Sequence, residues 1–498
     1  MEAARILLTG ASGFLGRHLV EALGDRFEIV AVSRASPSTR GATPAACREW
    51  LFLDVGDAAA VAAAAERLRR QGPIDAVVHL AGHYDFTGER RPEYQRTNVE
   101  GTRNVLAAAR LLGARDFIFA SSVAACRFPA AGRVLDERSP VDGETPYGES
   151  KRLGEEMVAA QHDGCRGWIV RFGALFSDWC EYEPLYRFLE IWLSDHPRRR
   201  VLAGHGLSAV PYLHVRDSVS FLETLLERRD RIDPREVLIA SNDGATTHRE
   251  IFEVATAAHF GERERPLLVP KSLCRTGLGL RQLATRAGAA PIFERPWMGR
   301  YIDLQLRVDA ARTRERLGWA PRPRLDLCRR IPFLVQNRKS IPVEWHRRNQ
   351  AAMRLGRLHE NLHVHRLLEQ RAAALAAALA RHLLAPERRD RFLGSAGRRP
   401  ERIEAECALL VDALLEAVRT GEKVRFRDAC RELAAERCRA GLPTGELTAA
   451  LDALNDLAVL GLAGESPGPA WYLALYDHVT MTVQFGIDEV CDVYDEPA

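Results

Sequence analysis

Apolar and polar positions along this chain follow two regimes, and the change comes near residue 340. Before it, short apolar runs take turns with stretches in which apolar residues recur every three or four positions. "RILLTG" (5–10), "FEIVAVSR" (27–34), "WLFLDV" (50–55), "DAVVHLAG" (75–82) and "DFIFASS" (116–122) read as buried strands. "FLGRHLVEAL" (14–23), the Ala-rich stretch after Asp57 and "EYQRTNVEGTRNVLAAARLLG" (93–113) carry helical spacing, and Asp57 can cap the second of these. Strand, helix, strand in this order predicts an α/β fold: a parallel sheet with helices on both faces. Ligands of such sheets sit beyond the carboxyl ends of the strands.

Past residue 340 the pattern is helical throughout. Helices are expected over 365–384, 400–421, 425–441, 443–462 and 471–490, the second with a Pro near its start and a Gly near its end. This predicts an all-helical domain over 351–498, joined to a first domain (1–338) by a basic, Pro-containing linker at 339–350. His359, His363 and His365 fall in it and are read as solvated helix histidines rather than metal ligands.

A length of 498 residues agrees with two or three domains. A net charge of +3 gives no warrant for a nucleic-acid partner. The ten Cys are scattered without a CxxC, so no metal is expected, and they suit a reducing cytoplasm. The first residues lack the features of a signal peptide. No run of eighteen apolar residues occurs, and no membrane partner is expected.

The first turn, "TGASGFLG", sets Gly10, Gly13 and Gly16 between a strand and its helix. There the backbone can approach a pyrophosphate and the helix N-terminus offers free N–H groups. In "YGESK" (147–151), Tyr147 and Lys151 stand four residues apart, on one face of a helix. Only four of the 70 basic residues are Lys. A compact ammonium beside a phenol favours the phenolate, lowering a pKa that is ordinarily about 10.

The GxxGxxG turn, "HLAG" (79–82), "NVEGT" (98–102), "FASS" (119–122), the YxxxK pair, "RFGALFS" (171–177), "YLHVRDSV" (212–219) and "RLGWAPRPRLDL" (316–327) occur in order. With them, residues 1–338 resemble the extended short-chain dehydrogenase/reductase superfamily, the NAD(P)-dependent epimerases, dehydratases and reductases. The resemblance implies a Rossmann-type doubly wound sheet, substrate-binding segments about 176–212 and 265–300, and a homodimer. It implies catalytic roles for Ser122 (with Ser121 as the alternative), Tyr147 and Lys151. Cofactor contacts are implied for Gly10, Gly13, Phe14, Leu15, Gly16, Ser33, Arg34, Asp54, Val55, Leu80, Ala81, Gly82, Asn98, Tyr147 and Lys151.

The second strand ends in Ser33-Arg34 with no carboxylate. A 2′-phosphate, and so NADP, is the expected cofactor, with NAD possible. Where nucleotide-sugar enzymes of the family tend to carry Arg, this chain has Val210 and Pro211. Val123 and Ala124 after Ser122 lack the acidic pair of the dehydratases. His83, Tyr84 and Asp85 could border a small-molecule substrate. "WCEYEPLYRFLEIWL" (179–193) fits either an apolar pocket or core packing, and Cys126 is a remote candidate proton donor.

The expected function is hydride transfer to or from a carbonyl or alcohol carbon of a small metabolite. The alternatives are a sugar or nucleotide-sugar epimerase and a cofactor-sensing regulator that signals through the helical domain. "AAERCRAGLPTGELTAALDALNDL" (434–457) resembles helical sensor domains of bacterial stress-signalling proteins, which implies a protein partner for that part.

Overall fold

The structure is a computed structural model that describes residues 4–34, 47–130, 132–161, 164–286, 293–353, 360–388, 399–465 and 469–495. It divides into two compact units, Met1–Leu358 and His359–Ala498. His359 lies outside the described residues.

In the first unit, seven strands form one parallel sheet. They are β1 (Arg5–Thr9), β2 (Glu28–Ser33), β3 (Glu49–Phe52), β4 (Ala76–His79), β5 (Asp116–Ser122), β6 (Arg166–Phe172) and β11 (Val237–Ala240). Between the last two in sequence come the short strands β7 (Ala174–Phe176), β8 (Val201–Ala203), β9 (Ala209–Val210) and β10 (Tyr212–His214). The spatial order is β11-β6-β5-β4-β1-β2-β3. Strand order reverses between β1 and β4, which opens a crevice at their carboxyl ends.

The inner strands are buried on both faces because successive side chains feed different cores, whereas the edge strand β3 leaves Phe52 exposed. Ile6 and Leu8 join one apolar cluster with Leu19, Phe221 and Trp319. Leu7 joins another with Val61, Leu68 and Val105. Helices α1 (Phe14–Leu23), α2 (Ala58–Arg69) and α3 (Gly101–Leu111) follow β1, β3 and β4, and Asp57 caps α2 by accepting from the Ala60 N–H at 3.0 Å. The helix expected over 93–113 begins as a π-helical turn, Tyr94–Glu100, before α3. Further helices are α4 (Pro146–Ala159), α5 (Glu183–Trp192), α6 (Val215–Arg228), α7 (His248–Phe260), α8 (Lys271–Arg286) and α9 (Ala311–Leu317).

The linker expected at 339–350 is absent. Helix α10 (Leu327–Ser340) runs into α11 (Pro342–Ala352), and both belong to the first unit. Pro342 starts α11 rather than breaking the chain. Trp345 is fully buried and donates to Glu190 at 3.1 Å, and Asn349 is buried as well. Replacing Trp345 with Ala is expected to cost about 3–5 kcal/mol, read as a lower denaturation midpoint of the first unit. An unchanged midpoint would mean that α11 is a tether after all.

The second unit is helical, with one apolar core. Glu360–Glu369 and Ala372–Leu383 replace the single helix expected over 365–384. Pro400–Thr420 ends at Gly421, whose φ of 75° makes a left-handed cap. Lys423–Arg439 and Thr444–Ala463 follow, and the last expected helix is split by a π-turn at Tyr476–Thr480. His363 is not solvated: it is buried, with its ring 5.3 Å from that of Trp471.

Candidate active site

The glycine turn is shaped by backbone contact. Gly10 has φ +70°, and a Cβ there would lie 2.7 Å from the Ala81 nitrogen. A Cβ on Gly16 would stand 2.2 Å from the Gly10 carbonyl oxygen. The Gly13 N–H donates to that same carbonyl at 2.8 Å, and Gly13 begins α1 without a side-chain cap. Phe14 and Leu15 occupy the first turn of α1, where backbone N–H groups have no intrahelical partner. The Leu15 side chain packs into the core, so it can contribute to a ligand only through its backbone. A bare helix N-terminus over a turn with no room for side chains fits a pyrophosphate.

Leu80, Ala81 and Gly82 leave β4 directly opposite this turn. Thr9 holds them there, its hydroxyl accepting from the Ala81 N–H at 3.3 Å. Behind them lies a buried relay absent from the sequence reading. His79 meets Thr9 through Nδ1 at 2.7 Å and Thr102 through Nε2 at 3.1 Å, and Thr102 donates to the Asn98 carbonyl at 2.6 Å. Burial pushes His79 down to about 3, so it is a neutral spacer at physiological pH.

The β5 pleat separates the two serines. Ser121 points to the buried Glu155–Arg171 pair and donates to Glu155 at 2.5 Å. Ser122 faces the other way. Its hydroxyl donates to the Phe172 carbonyl at 3.4 Å and accepts from the Ala124 N–H at 3.2 Å, and it stands close enough to the Tyr147 phenol to favour its ionised form. The pleat sets Ser122 on the side of Tyr147 and Ser121 on the side of Glu155. Glu155 could have been read from "YGESKRLGE", since it continues the Tyr147–Lys151 face by one more turn.

Thr145 and Pro146 start α4, with Thr145 accepting from the Gly148 N–H at 3.0 Å. Lys151 is buried. Its Nζ donates to the Ala120 carbonyl at 2.6 Å and lies 5.0 Å from the Phe119 ring centroid and 5.8 Å from that of Tyr147. The expected lowering of the Tyr147 pKa is not found in the free protein. Burial raises the phenol well above its ordinary value, against the pull of the Ser122 hydroxyl. Lys151 is itself pushed down to about 8 by burial, against the raising effect of Glu155. An ammonium engaged with a strand carbonyl has its charge directed at that carbonyl rather than at the phenol.

Asn98 ties the loop after β4 to α4. Its side-chain carbonyl accepts from the His83 N–H at 2.6 Å, and its amide donates to the His83 carbonyl at 3.0 Å and to Ser150 at 2.8 Å. It sits in the π-turn, whose wider winding is a frequent device at functional sites.

At the far end of the crevice, Ser33 accepts from the Trp50 indole at 2.9 Å. Asp54 accepts from the Gly56 N–H at 2.9 Å and is flanked by Arg96 at 3.0 Å and Arg34 at 3.9 Å. Val55 is buried, and its carbonyl accepts from Asn104 at 2.9 Å. Arg96, in the Tyr94–Glu100 turn, was not foreseen, because its ion pair with Asp54 joins positions 42 residues apart in sequence.

The other side of Tyr147 is aromatic. The Tyr84 ring lies 4.4 Å from it, Phe86 is 4.7 Å from Tyr84, and Tyr182 and Phe293 are each 5.8 Å from Phe86. Tyr212 is 5.8 Å from Tyr182. Burial pushes the Tyr182 and Tyr212 phenols up, and the ionisable groups that add to this are phenols and thiols. Of the loop residues expected near a substrate, Tyr84 alone reaches Tyr147. His83 turns to Tyr94, and Asp85 is held by Thr87 and Arg91. Cys126 is buried in a separate apolar cluster, with its thiol pushed up to about 11. In the 179–193 stretch, Leu185, Tyr186, Leu189 and Trp192 are core.

Cys180 and Glu181 hold left-handed backbone at φ 73° and 56°, a strained pair for non-glycine residues. Glu181 pairs with Arg17 of α1, and its N–H donates to Asn349 of α11 at 2.8 Å. The turn that presents Tyr182 is thus clamped from two helices. Asp178 is likewise structural: His214, Arg330 and Arg216 surround it, and it is held at about 2. Among the described residues, no group of three or more potential ligands could hold a metal ion, and no helix is long and apolar enough to cross a membrane.

A dinucleotide crevice with a Ser–Tyr–Lys group at one end is the arrangement of nicotinamide-dependent enzymes. The profile of the NAD dependent epimerase/dehydratase family matches residues 6–240. A uronate dehydrogenase of Pseudomonas putida is 31% identical over 197 residues, 37% of this chain and 70% of that one. A 3 beta-hydroxysteroid dehydrogenase/Delta 5-->4-isomerase of Mycobacterium tuberculosis is 34% identical over 184 residues, 36% of this chain and 48% of that one. The solved UDP-glucose 4-epimerase of Thermus thermophilus in complex with NAD superposes with a TM-score of 0.52 at 21% identity. It covers 68% of this chain and 99% of that one, and shows the fold. The chain belongs to the NAD-dependent epimerase/dehydratase family of the extended short-chain dehydrogenase/reductase superfamily. It is thereby an NAD-dependent oxidoreductase or epimerase.

Proposed function

We propose that the protein is an NADP-dependent oxidoreductase that interconverts a carbonyl and an alcohol on a small uncharged substrate. The single observation behind this reading is the buried Lys151 ammonium 5.8 Å from the Tyr147 ring centroid, one helical turn away on α4, with Ser122 beside the same phenol. A bound nicotinamide would donate or accept the hydride. In reduction, Tyr147 passes its proton to the substrate oxygen and Ser122 donates a hydrogen bond to that oxygen. Burial keeps Tyr147 protonated at neutral pH, which suits a proton donor. Lys151 keeps positive charge beside the site and can leave the Ala120 carbonyl for a ribose hydroxyl.

The aromatic surround of Tyr84, Phe86, Tyr182 and Tyr212 supports an uncharged substrate, and Val210 and Pro211 supply no cation for a pyrophosphate. Epimerases of the family use the same three residues. Lasting oxidation of NADPH during turnover supports the reductase, and cofactor recovered unchanged supports the epimerase. The sensor alternative predicts no turnover of any substrate. A homodimer, a cytoplasmic setting and a protein partner for the second unit complete the proposal.

Two outcomes test it. Lys151 loses its proton as pH rises through about 8, so kcat/KM should fall above that pH. A profile flat to about pH 10 would remove Lys151 from the scheme. For the cofactor, Arg34 and Arg96 flank Asp54 where a 2′-phosphate would stand. Arg34→Ala should raise KM for NADPH about tenfold and leave that for NADH nearly unchanged. Equal changes for both would contradict the NADP assignment.

A further inference from the structure

Helix α8 is tied to the protein through polar side chains: Lys271 donates to the Ile302 carbonyl at 3.0 Å, Arg275 to the Gly299 carbonyl at 3.0 Å and Cys274 to the Val269 carbonyl at 3.4 Å. Leu278 lies beside Gly299, and the other three of its leucines face out. Leu273 and Leu280 are each 63% exposed and Leu283 is 59% exposed. At 100° per residue these three span an arc of about 80°, an apolar stripe in which, among the described residues, Thr276 is the one exposed polar residue. Leu267 and Leu268, in the strand just before α8, extend the exposed apolar surface at 52% and 43%. None of the residues Lys271–Thr285 is buried. A folded chain does not leave a stripe like this to water without a use for it.

Charge says what the use is. From residue 265 to residue 286 the sequence holds five cations, Arg265, Lys271, Arg275, Arg281 and Arg286, and no carboxylate. The whole chain carries a net +3, so this short segment alone exceeds the total. Lys271 and Arg275 donate to neutral carbonyls rather than to carboxylates.

We propose that the outward leucine stripe of α8 docks the protein onto an anionic lipid surface, with the helix lying in the plane of the headgroups. An amphipathic helix rich in cations and carrying Leu on its open face is the form that binds such surfaces. A second copy of this chain fits worse, because a two-fold contact would bring the two cationic segments together. A protein helix partner fits worse as well. Such partners are read as an amphipathic helix laid in an apolar groove, and α8 presents a single helix face. The absence of a spanning helix among the described residues is compatible with docking in the plane.

Arg275 ties α8 to the Pro296–Tyr301 segment, whose Trp297 indole donates to the Thr87 carbonyl at 2.9 Å in the loop that carries Tyr84. The proposal stands apart from the redox reading, since it needs neither Tyr147 nor a cofactor.

The test is co-sedimentation of the full-length protein with vesicles of phosphatidylcholine, alone or mixed with phosphatidylglycerol. The wild type should pellet with the mixed vesicles and stay in solution with the uncharged ones. Raising salt to about 0.5 M should release it. The triple variant Leu273→Gln, Leu280→Gln, Leu283→Gln should lose at least about tenfold in vesicle affinity. It should still bind NADPH as the wild type does, which shows an intact fold. Failure of the wild type to pellet, equal binding to uncharged vesicles, or undiminished binding by the variant overturns the proposal. So does a fall in sedimenting mass of the lipid-free variant, which assigns the stripe to a second copy.

Discussion

Tyr147→Phe is expected to lower turnover by about 10²–10⁴-fold while leaving dinucleotide affinity nearly unchanged. The size follows from the usual worth of a positioned proton donor. The selectivity follows from where the hydroxyl points. It lies beside Ser122, while the glycine turn and the Arg34–Asp54–Arg96 group are built from other segments. Removing one oxygen leaves the ring, and with it the 4.4 Å contact to Tyr84, so the aromatic wall should stand. Titration of NADPH beside a turnover assay separates the two effects. A variant that keeps full activity would mean that another group delivers the proton, and the Ser122–Tyr147 contact would then be structural only.

Gly16→Ala is expected to be severe for a different reason. The added Cβ would fall 2.2 Å from the Gly10 carbonyl oxygen and 2.8 Å from the Ala11 Cα, both backbone, so the first turn of α1 must move away from β1. That turn carries the N–H groups that would meet the pyrophosphate. Affinity for NADPH should drop about 10–100-fold, with a stability loss of about 1–3 kcal/mol from overpacking. Calorimetric titration and denaturant unfolding measure the two. Unaltered affinity would show that the α1 N-terminus takes no part in holding the dinucleotide.

Those two positions were legible in the sequence because each rests on local spacing. A GxxGxxG turn is contiguous, and a Tyr and a Lys four apart share a helix face in any fold. The long strands were legible for a similar reason: buried on both faces, they read as unbroken apolar runs. What sequence missed depends on distant contacts. Lys151 was read as acting on Tyr147, but its hydrogen bond goes to Ala120 of β5, 31 residues away. The choice between Ser121 and Ser122 needed the pleat of β5. Arg96 needed its ion pair with Asp54, 42 residues away in sequence. Strands β9 and β10 are two and three residues long, too short for any period to show. Helix α11 was mistaken for a linker because its outer face is charged, and its burial rests largely on Trp345 and Asn349.

The central claim is that a nicotinamide dinucleotide lies across the β1–β4 crevice and ends beside Tyr147. Titration of NADPH into the purified full-length chain tests it without knowledge of the substrate. Saturable one-to-one binding in about the micromolar range is expected, kept in Tyr147→Phe and lost or much weakened in Gly16→Ala. A wild-type protein that takes up neither NADPH nor NADH would contradict it.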